Sequence, residues 1–231
     1  MPDRAVPIRA AFFDVDETVI VVKSMFRFLE FHLERRGLPP SAYERVRDEL
    51  VGLAAAGVPR AETNRRYYRS YAGQRVEDVA AQGREWFAAE LAAGGLFVPP
   101  VLAALAAHRA AGDLVGLVSG SFPPCVDPIA AHVGADLVLC TRPEIVGGFY
   151  TGEVARPAIG EGKGELVRAA LAEHGIPAEA ASAYGDHISD LPMLEAVGDP
   201  VVVGADPALR DVGAQRGWRT IDTDAARLTG S

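Results

Sequence analysis

Cysteine is scarce in this sequence, and long apolar runs are missing. The 231 residues include only Cys125 and Cys140, which have neither the spacing of a metal site nor the number needed for a disulfide framework. We expect both to be small buried side chains in a reducing compartment. No run of about 18 apolar residues occurs, so no membrane-spanning segment is expected. The polar stretch 1–7 lacks the apolar centre of a signal peptide, which predicts a cytoplasmic location.

Lysine is also rare, although positive charge is not. Only Lys23 and Lys163 occur among the 23 lysines and arginines, and the rest are arginine. An ammonium is a compact point charge whereas a guanidinium is a planar fork, so these two positions are candidates for a site that needs a point charge. Acidic side chains outnumber basic ones by 31 to 23, and the net charge of −8 argues against nucleic acid as a partner.

The order of apolar patterns along the chain predicts an α/β fold with one helical insertion. An apolar strand over residues 8–15 is followed only by helical patterns over residues 23–97. Beyond them, short apolar runs alternate with helices, which is typical of a doubly wound parallel sheet. We therefore predict a Rossmann-like catalytic core of residues 1–22 and 98–231, with residues 23–97 forming a helical bundle cap.

Local signals place individual elements. Ser41 and Glu44 have the spacing of a capping box, so a helix is expected to begin there. Gly147-Gly148, between two apolar arms over residues 144–154, predicts a β-hairpin. The four helices expected in the insertion cover residues 24–36, 41–56, 59–71 and 76–93.

Polar residues stand at the C-terminal ends of several predicted strands. Asp14 and Asp16 follow the first apolar run, Ser119 and Gly120 follow another, and Asp186 follows a third. An unpaired buried carboxylate is costly, so the first strand is expected to surface at Asp14. The C-terminal ends of parallel strands share one edge of the sheet, where ligands bind in open α/β folds. Clustered carboxylates there suit Mg²⁺, and a carboxylate is also a nucleophile toward phosphorus.

Four segments in order along the chain resemble the motifs of the haloacid dehalogenase (HAD) superfamily, in particular the phosphoserine-phosphatase-like subfamily IB. The likeness extends over about residues 8–205. It implies the HAD fold with an inserted cap of the C1 type, and an aspartyl-phosphate intermediate. The segments are Asp14-Val15-Asp16-Glu17-Thr18-Val19-Ile20, Val118-Ser119-Gly120-Ser121, Gly162-Lys163-Gly164-Glu165 and Tyr184-Gly185-Asp186-His187-Ile188-Ser189-Asp190-Leu191-Pro192-Met193.

The resemblance implies catalytic roles for the first three motifs. Asp14 would be the nucleophile, and Asp16 would be the general acid that protonates the leaving alkoxide and the base that then activates water. Ser119 and Lys163 would hold the phosphoryl group, and the amide of Gly120 would donate a hydrogen bond to it.

The resemblance also implies a Mg²⁺ site. Asp14 would bind the ion through its side chain and Asp16 through its backbone carbonyl oxygen. Asp186 would be a further ligand, and Asp190 would bind the ion directly or support Asp186. Thr18 is expected among the residues that contact the substrate.

The expected substrate is a small phosphorylated metabolite. Lys23 lies nine residues after Asp14, where phosphoserine phosphatases have a glutamate for the amino group of their substrate. The opposite charge argues against phosphoserine and favours a second anionic or hydroxyl-rich group, as in a sugar or cyclitol phosphate. Arg65 and Arg66 of the third cap helix are further candidates for substrate contact.

Other functions stay open from the sequence. Phosphoserine phosphatase and phosphotransferase activity are the alternatives within the superfamily. A carbon–halogen hydrolase is disfavoured, because it needs no leaving-group acid at Asp16. A ligand-binding protein without catalysis is disfavoured by the complete set of motif residues. The sequence predicts no oligomeric state.

Overall fold

The computed structural model describes residues 9–223, in which a parallel sheet is enclosed by helices. Apolar residues form the central strands, which are buried along their whole length. The prediction that the first strand starts at residue 8 lies outside the described residues. The strands are β1 (Ala10–Asp14), β2 (Leu114–Ser119), β3 (Leu137–Cys140), β4 (Ile145–Val146), β5 (Phe149–Tyr150), β6 (Ala181–Gly185), β7 (Asp199–Val203) and β8 (Arg219–Ile221).

Six parallel strands form the main sheet in the order β3-β2-β1-β6-β7-β8. The order runs in opposite directions on the two sides of β1, as in a doubly wound sheet. Asp14 pairs with Val118, and Phe13 pairs with Tyr184, so the C-terminal ends of β1, β2 and β6 lie level with one another. The predicted α/β fold class is therefore confirmed. Strands β4 and β5 form the separate antiparallel hairpin that the glycine pair predicts.

Nine α-helices occur in the described part of the chain, and five of them lie between β1 and β2, the first four within residues 23–97. A 3-10 turn, Arg69–Tyr71, extends the third of these. No helix of residues 9–223 is long and apolar enough to cross a membrane. Helices α1 to α9 cover Ser24–Arg35, Pro40–Ala55, Arg60–Tyr68, Val76–Ala93, Pro99–Ala111, Pro123–Val133, Glu161–Glu173, Leu191–Leu194 and Pro207–Arg216, in that order.

The expected capping box at Ser41 is wrong. Helix α2 begins one residue earlier, at Pro40, and its N-cap, Pro39, makes no side-chain cap hydrogen bond. Proline suits the first helical position, because it needs no hydrogen-bond partner for an N–H and its φ is already helical. Prolines start helices α5 and α6 in the same way.

Aromatic side chains join the helical insertion to the sheet layer. The ring of Phe122, which precedes α6, lies 4.9 Å from that of Tyr71 and 5.3 Å from that of Tyr68. Phe28 of α1 and Tyr150 of β5 reach the same ring at 5.8 and 5.9 Å. Such contacts add to the energy of apolar burial. The insertion is therefore held over the C-terminal edge of the sheet, above the strand ends.

Candidate active site

A cavity of about 180 Å³ lies at the C-terminal edge of the sheet, beneath the helical insertion. The main chain leaves the sheet here after β1, β2 and β6, which brings together residues distant in sequence. The predicted site residues that line the cavity are Asp14, Asp16, Lys23, Ser119, Gly120, Lys163, Asp186 and Asp190.

A buried ammonium links two of the carboxylates. Lys163 Nζ donates to Asp14 Oδ1 at 2.5 Å and to Asp190 Oδ1 at 2.7 Å, and all three side chains are almost fully buried. Helix α7 begins at Glu161, so Lys163 lies in its first turn. Burial alone would lower the pKa of Lys163, but attraction to Asp14 and Asp190 outweighs it and raises that pKa. The ammonium therefore stays charged and fixes the orientation of Asp14.

Asp190 also holds the loop that carries Asp186. Its second oxygen, Oδ2, accepts the backbone N–H groups of Asp186 and His187, both at 3.2 Å. Thr18 Oγ1 donates to Asp186 Oδ1 at 3.0 Å from a fully buried position outside the cavity. The predicted substrate contact of Thr18 thus finds no support in this placement, because its hydroxyl is turned to Asp186. The loop after β6 is fixed by hydrogen bonds from two sides.

Asp16 has surroundings different from those of Asp14. The backbone N–H of Ser24, at the start of α1, donates to Asp16 Oδ1 at 3.1 Å. Burial raises the pKa of Asp16 to about 7, against the opposing effect of hydrogen bonds from Ser24. A carboxyl group with this pKa can give and take a proton near neutral pH.

The turn after β2 presents a fixed backbone to the cavity. The carbonyl oxygen of Gly120 accepts hydrogen bonds from Asn64 Nδ2, Tyr68 OH and Thr141 Oγ1 at 2.8–2.9 Å. A Cβ atom at position 120 would lie 2.3 Å from Ile159 Cδ1, so any side chain here would require the end of the Ile159 side chain to move. Two of the three donors come from α3, so the insertion itself positions this peptide.

The acidic cluster has the composition of a site for a hard divalent cation. Asp14, Asp186 and Asp190 each offer an oxygen within 4.8 Å of the others. Burial, with repulsion from Asp14 and Asp190, raises the pKa of Asp186 to about 9. Lys163 balances one of these charges, and a bound cation would relieve the rest. Oxygen donors of this kind fit Mg²⁺. The carboxylate of Asp16 lies outside this cluster of the described residues.

The positive residues predicted to select the substrate lie in different places. Lys23 lines the cavity, but its ammonium is 3.3 Å from Glu17 Oε2, which offsets its charge. Arg65 Nε donates to the carbonyl oxygen of Val154 at 3.2 Å, and Arg66 pairs with Glu49. Neither arginine lines the cavity, because the face of α3 that points to it carries other residues. The predicted substrate contacts of Arg65 and Arg66 find no support here.

That face of α3 carries two residues that the sequence analysis missed. Arg60 and Asn64 are one helical turn apart, and residues four apart share a face of a helix. Arg60 lines the cavity, and its Nη1 lies 3.1 Å from His187 Nε2, across from the loop after β6. Arg60 and Asn64 are four residues apart, and the large aromatic residues Tyr67 and Tyr68 follow them on the same helix. This spacing is a sequence signal that could have placed both on the face of the helix that is turned to the core of the protein.

Known proteins resemble this chain over most of its length. The family model for haloacid dehalogenase-like hydrolases matches residues 11–195. "Probable phosphatase Rv3661" of Mycobacterium tuberculosis is 37% identical over 218 residues, covering 90% of this chain and 73% of that protein. "Phosphoserine phosphatase SerB1" of the same species is 31% identical over 239 residues, covering 97% and 75%.

A solved structure is also similar. It is a protein of unknown function from Bordetella pertussis Tohama I, with a TM-score of 0.83 and 30% identity, covering 94% of this chain and 99% of that one. Fold, motif order and these similarities agree, and the chain belongs to the haloacid dehalogenase-like hydrolases.

Proposed function

We propose that this hydrolase is a Mg²⁺-dependent phosphatase that cleaves a small phosphate monoester through an aspartyl-phosphate on Asp14. The arrangement that carries the proposal is the buried Asp14 carboxylate held by Lys163, in one cavity with an Asp16 whose pKa is about 7. The two carboxylates, one residue apart, are thereby suited to different steps.

In the first step Asp14 attacks phosphorus, and the bond from phosphorus to the alcohol oxygen breaks. Asp16 gives its proton to the departing alkoxide. In the second step Asp16 takes a proton from water, whose oxygen attacks the phosphorus of the aspartyl-phosphate and releases inorganic phosphate. Ser119, Lys163 and the amide of Gly120 hold the phosphoryl oxygens, where fixed positive groups stabilise the transition state.

Asp14, Asp186 and Asp190 would hold the metal, together with the backbone carbonyl of Asp16. When bound, Mg²⁺ supplies positive charge that stabilises the transferring phosphoryl group. Residues 23–97 would act as a cap over the core formed by residues 1–22 and 98–231, and would keep bulk water from the aspartyl-phosphate. The direct link from Ser24 to Asp16 supports this role of the insertion.

Phosphoserine is the second candidate substrate. The name of the SerB1 relative supports it, since that protein is similar over 97% of this chain. A sugar or cyclitol phosphate has no support from the comparisons, and the Glu17 partner of Lys23 weakens the charge argument for it. A cytoplasmic location and the absence of nucleic-acid and membrane partners stay predictions.

Turnover of p-nitrophenyl phosphate by the purified chain tests the proposal. We expect Mg²⁺ to support turnover, EDTA to stop it and added Mg²⁺ to restore it. Asp14→Asn should reduce kcat at least about 10³-fold, because the amide is a poor nucleophile. Asp48→Asn, at an exposed position of α2, is the matched control and should behave as the unmodified chain. Full activity of Asp14→Asn would overturn the proposed nucleophile.

A further inference from the structure

A second groove of about 430 Å³ continues from the cavity into the helical insertion. The two share six lining residues, among them Phe26, Arg60 and Ile159. A phosphate monoester whose phosphorus lies beside Asp14 has its alcohol portion directed away from the sheet edge. The groove offers room for that portion in the described structure.

The far wall of the groove is apolar. It is formed by three residues of α2, which are Leu50, Val51 and Ala54. Phe26 and Tyr67 also line the groove. Val51 is 56% exposed, so much of its side chain is open to a ligand in the groove. No aspartate or glutamate is among the described residues that line the groove. An ammonium in the groove would therefore meet no carboxylate, and Glu17, which lines the adjoining cavity, is paired with Lys23.

Asn64 is one of the polar residues of the groove. Others are Lys23, Arg60 and His187, which the groove shares with the cavity, and Thr63. Its side chain is 6% exposed, and Nδ2 donates to the carbonyl of Gly120. The other amide atom, Oδ1, is buried and has no hydrogen-bond partner among the described residues. A buried acceptor without a partner costs free energy, which a donor on a ligand would recover. Asn64 also lines the groove, in direct contact with the turn that is proposed to hold the phosphate.

We propose that the substrate is the phosphate monoester of an uncharged alcohol with an apolar chain or ring and a hydroxyl close to the ester. The inference rests on the proposed phosphatase function. The apolar part lies against Leu50, Val51 and Ala54, and the hydroxyl donates to Asn64 Oδ1. This substrate class differs from both amino-acid and sugar phosphates, which are polar throughout.

A series of n-alkyl phosphates from ethyl to octyl tests the apolar wall. Each methylene buried in the groove should raise kcat/KM by up to about fourfold until the groove is filled. Phosphoserine and glucose 6-phosphate should be turned over more slowly than hexyl phosphate. If kcat/KM did not change with chain length, or if phosphoserine were the best substrate, the inference would be overturned. Turnover of p-nitrophenyl phosphate in the same preparation would still support the phosphatase function. Loss of all turnover would instead contradict the proposed function.

Matched variants locate the effect. Val51→Asp should remove most of the dependence on chain length, because a charge on the wall opposes the burial of an apolar chain against it. Leu91→Asp is the control, since Leu91 is 39% exposed on α4 and does not line the groove. If both variants kept the full chain-length dependence, the wall would be assigned wrongly. If Val51→Asp and Leu91→Asp lost the dependence of kcat/KM on chain length to the same extent, the assignment of the wall would also be contradicted.

A pair of substrates tests Asn64. Compared with hexyl phosphate, 2-hydroxyhexyl phosphate should have a kcat/KM higher by about two- to tenfold, the gain typical of one hydrogen bond. The substrate is changed rather than Asn64, because replacing Asn64 would also remove the donor to Gly120. Equal or lower turnover of the hydroxylated compound would overturn the assigned hydroxyl.

Discussion

Asp14 and Asp16 show how surroundings separate two chemically identical side chains. Asp14 faces Lys163 and the other carboxylates, whereas Asp16 faces the first turn of α1. Burial raises the pKa of both, but only Asp14 has an ammonium in contact. A nucleophile must be ionised and a leaving-group acid protonated, so this division fits the proposed roles.

Asp16→Asn should separate the two proposed steps. A p-nitrophenolate leaves without a proton, so the first step should survive, whereas water activation should fail. We therefore expect a burst of about one nitrophenolate per active site, followed by turnover roughly 10²–10⁴-fold slower than normal. Stopped-flow absorbance measures both phases, and alkyl phosphates should show neither burst nor turnover.

The control for this variant is Asp48→Asn, which should show the unmodified time course. Normal steady-state turnover of p-nitrophenyl phosphate by Asp16→Asn would contradict its role as the base. Turnover of alkyl phosphates at the normal rate would contradict its role as the acid.

The sequence identified those site residues whose positions follow from the main chain. Asp14 and Ser119 stand at strand ends, and a parallel sheet brings strand ends to one edge without knowledge of side-chain packing. Thr18 and Arg66 depend on the direction of a side chain, and here a hydrogen bond to Asp186 and an ion pair with Glu49 decide it. Tertiary partners of this kind leave no local pattern in the sequence.

At the scale of elements, helices α1 and α4 are joined by a buried polar contact. His32 is fully buried, and its Nδ1 lies 2.6 Å from Gln82 Oε1, so Nδ1 carries the proton. Its Nε2 is buried without a partner in the described part of the chain. Burial lowers the pKa of His32 below its usual 6.5, with a smaller contribution from Arg36. Protonation of Nε2 would add an unpaired buried donor.

The contribution of His32 to stability should therefore fall in mild acid, whereas the raised pKa values of Asp16 and Asp186 act in the opposite direction. Because the folded pKa of His32 is lowered, the unfolded chain binds more protons below about pH 6.5. The stabilisation is complete above that pH and is lost as pH falls toward and through the folded pKa, by at most about 1.4 kcal/mol per pH unit. Urea unfolding between pH 7.5 and 5 measures it.

His32→Asn should lower stability at every pH, and its loss relative to the unmodified chain should become smaller as the pH falls from 7.5 to 5. His174→Asn, at the end of α7, is the control and should leave the dependence of stability on pH unchanged. A loss in His32→Asn that stays constant over this pH range would contradict the contribution assigned to His32.

The C-terminal end of a helix is predictable from the sequence where a glycine follows it. The N-terminal end is less predictable where a proline occupies the first helical position. Helix α4 covers Val76–Ala93 as predicted, and it stops where Gly94 adopts a φ of 79°. Helices α2, α5 and α6 begin earlier than their apolar patterns, because a proline can occupy the first helical position without contributing to the apolar face. The apolar period gives the face of a helix, whereas residue-specific backbone limits give its ends.

At the scale of the whole molecule, the insertion and the sheet share one apolar core. A single cluster of buried side chains includes Phe28 and Trp86 from the insertion, and Leu117, Phe122 and Val126 from the β2–α6 region. The sequence predicts the boundaries at residues 23 and 97 from periodicity, but it does not reveal this packing, since residues far apart in the chain form it. A shared core favours cooperative unfolding of both parts.

The two tryptophans allow this to be measured. Trp86 lies in α4 of the insertion and Trp218 directly before β8 of the sheet. In Trp218→Phe the fluorescence reports on the insertion, and in Trp86→Phe it reports on the sheet. We expect the urea midpoint by fluorescence to coincide with that by circular dichroism in each variant, because separating the parts would expose the rings around Phe122. A fluorescence transition of Trp86 at lower urea than the loss of helix would contradict the shared core. It would also mean that residues 23–97 unfold on their own, and that the contact of Ser24 with Asp16 breaks before the sheet does.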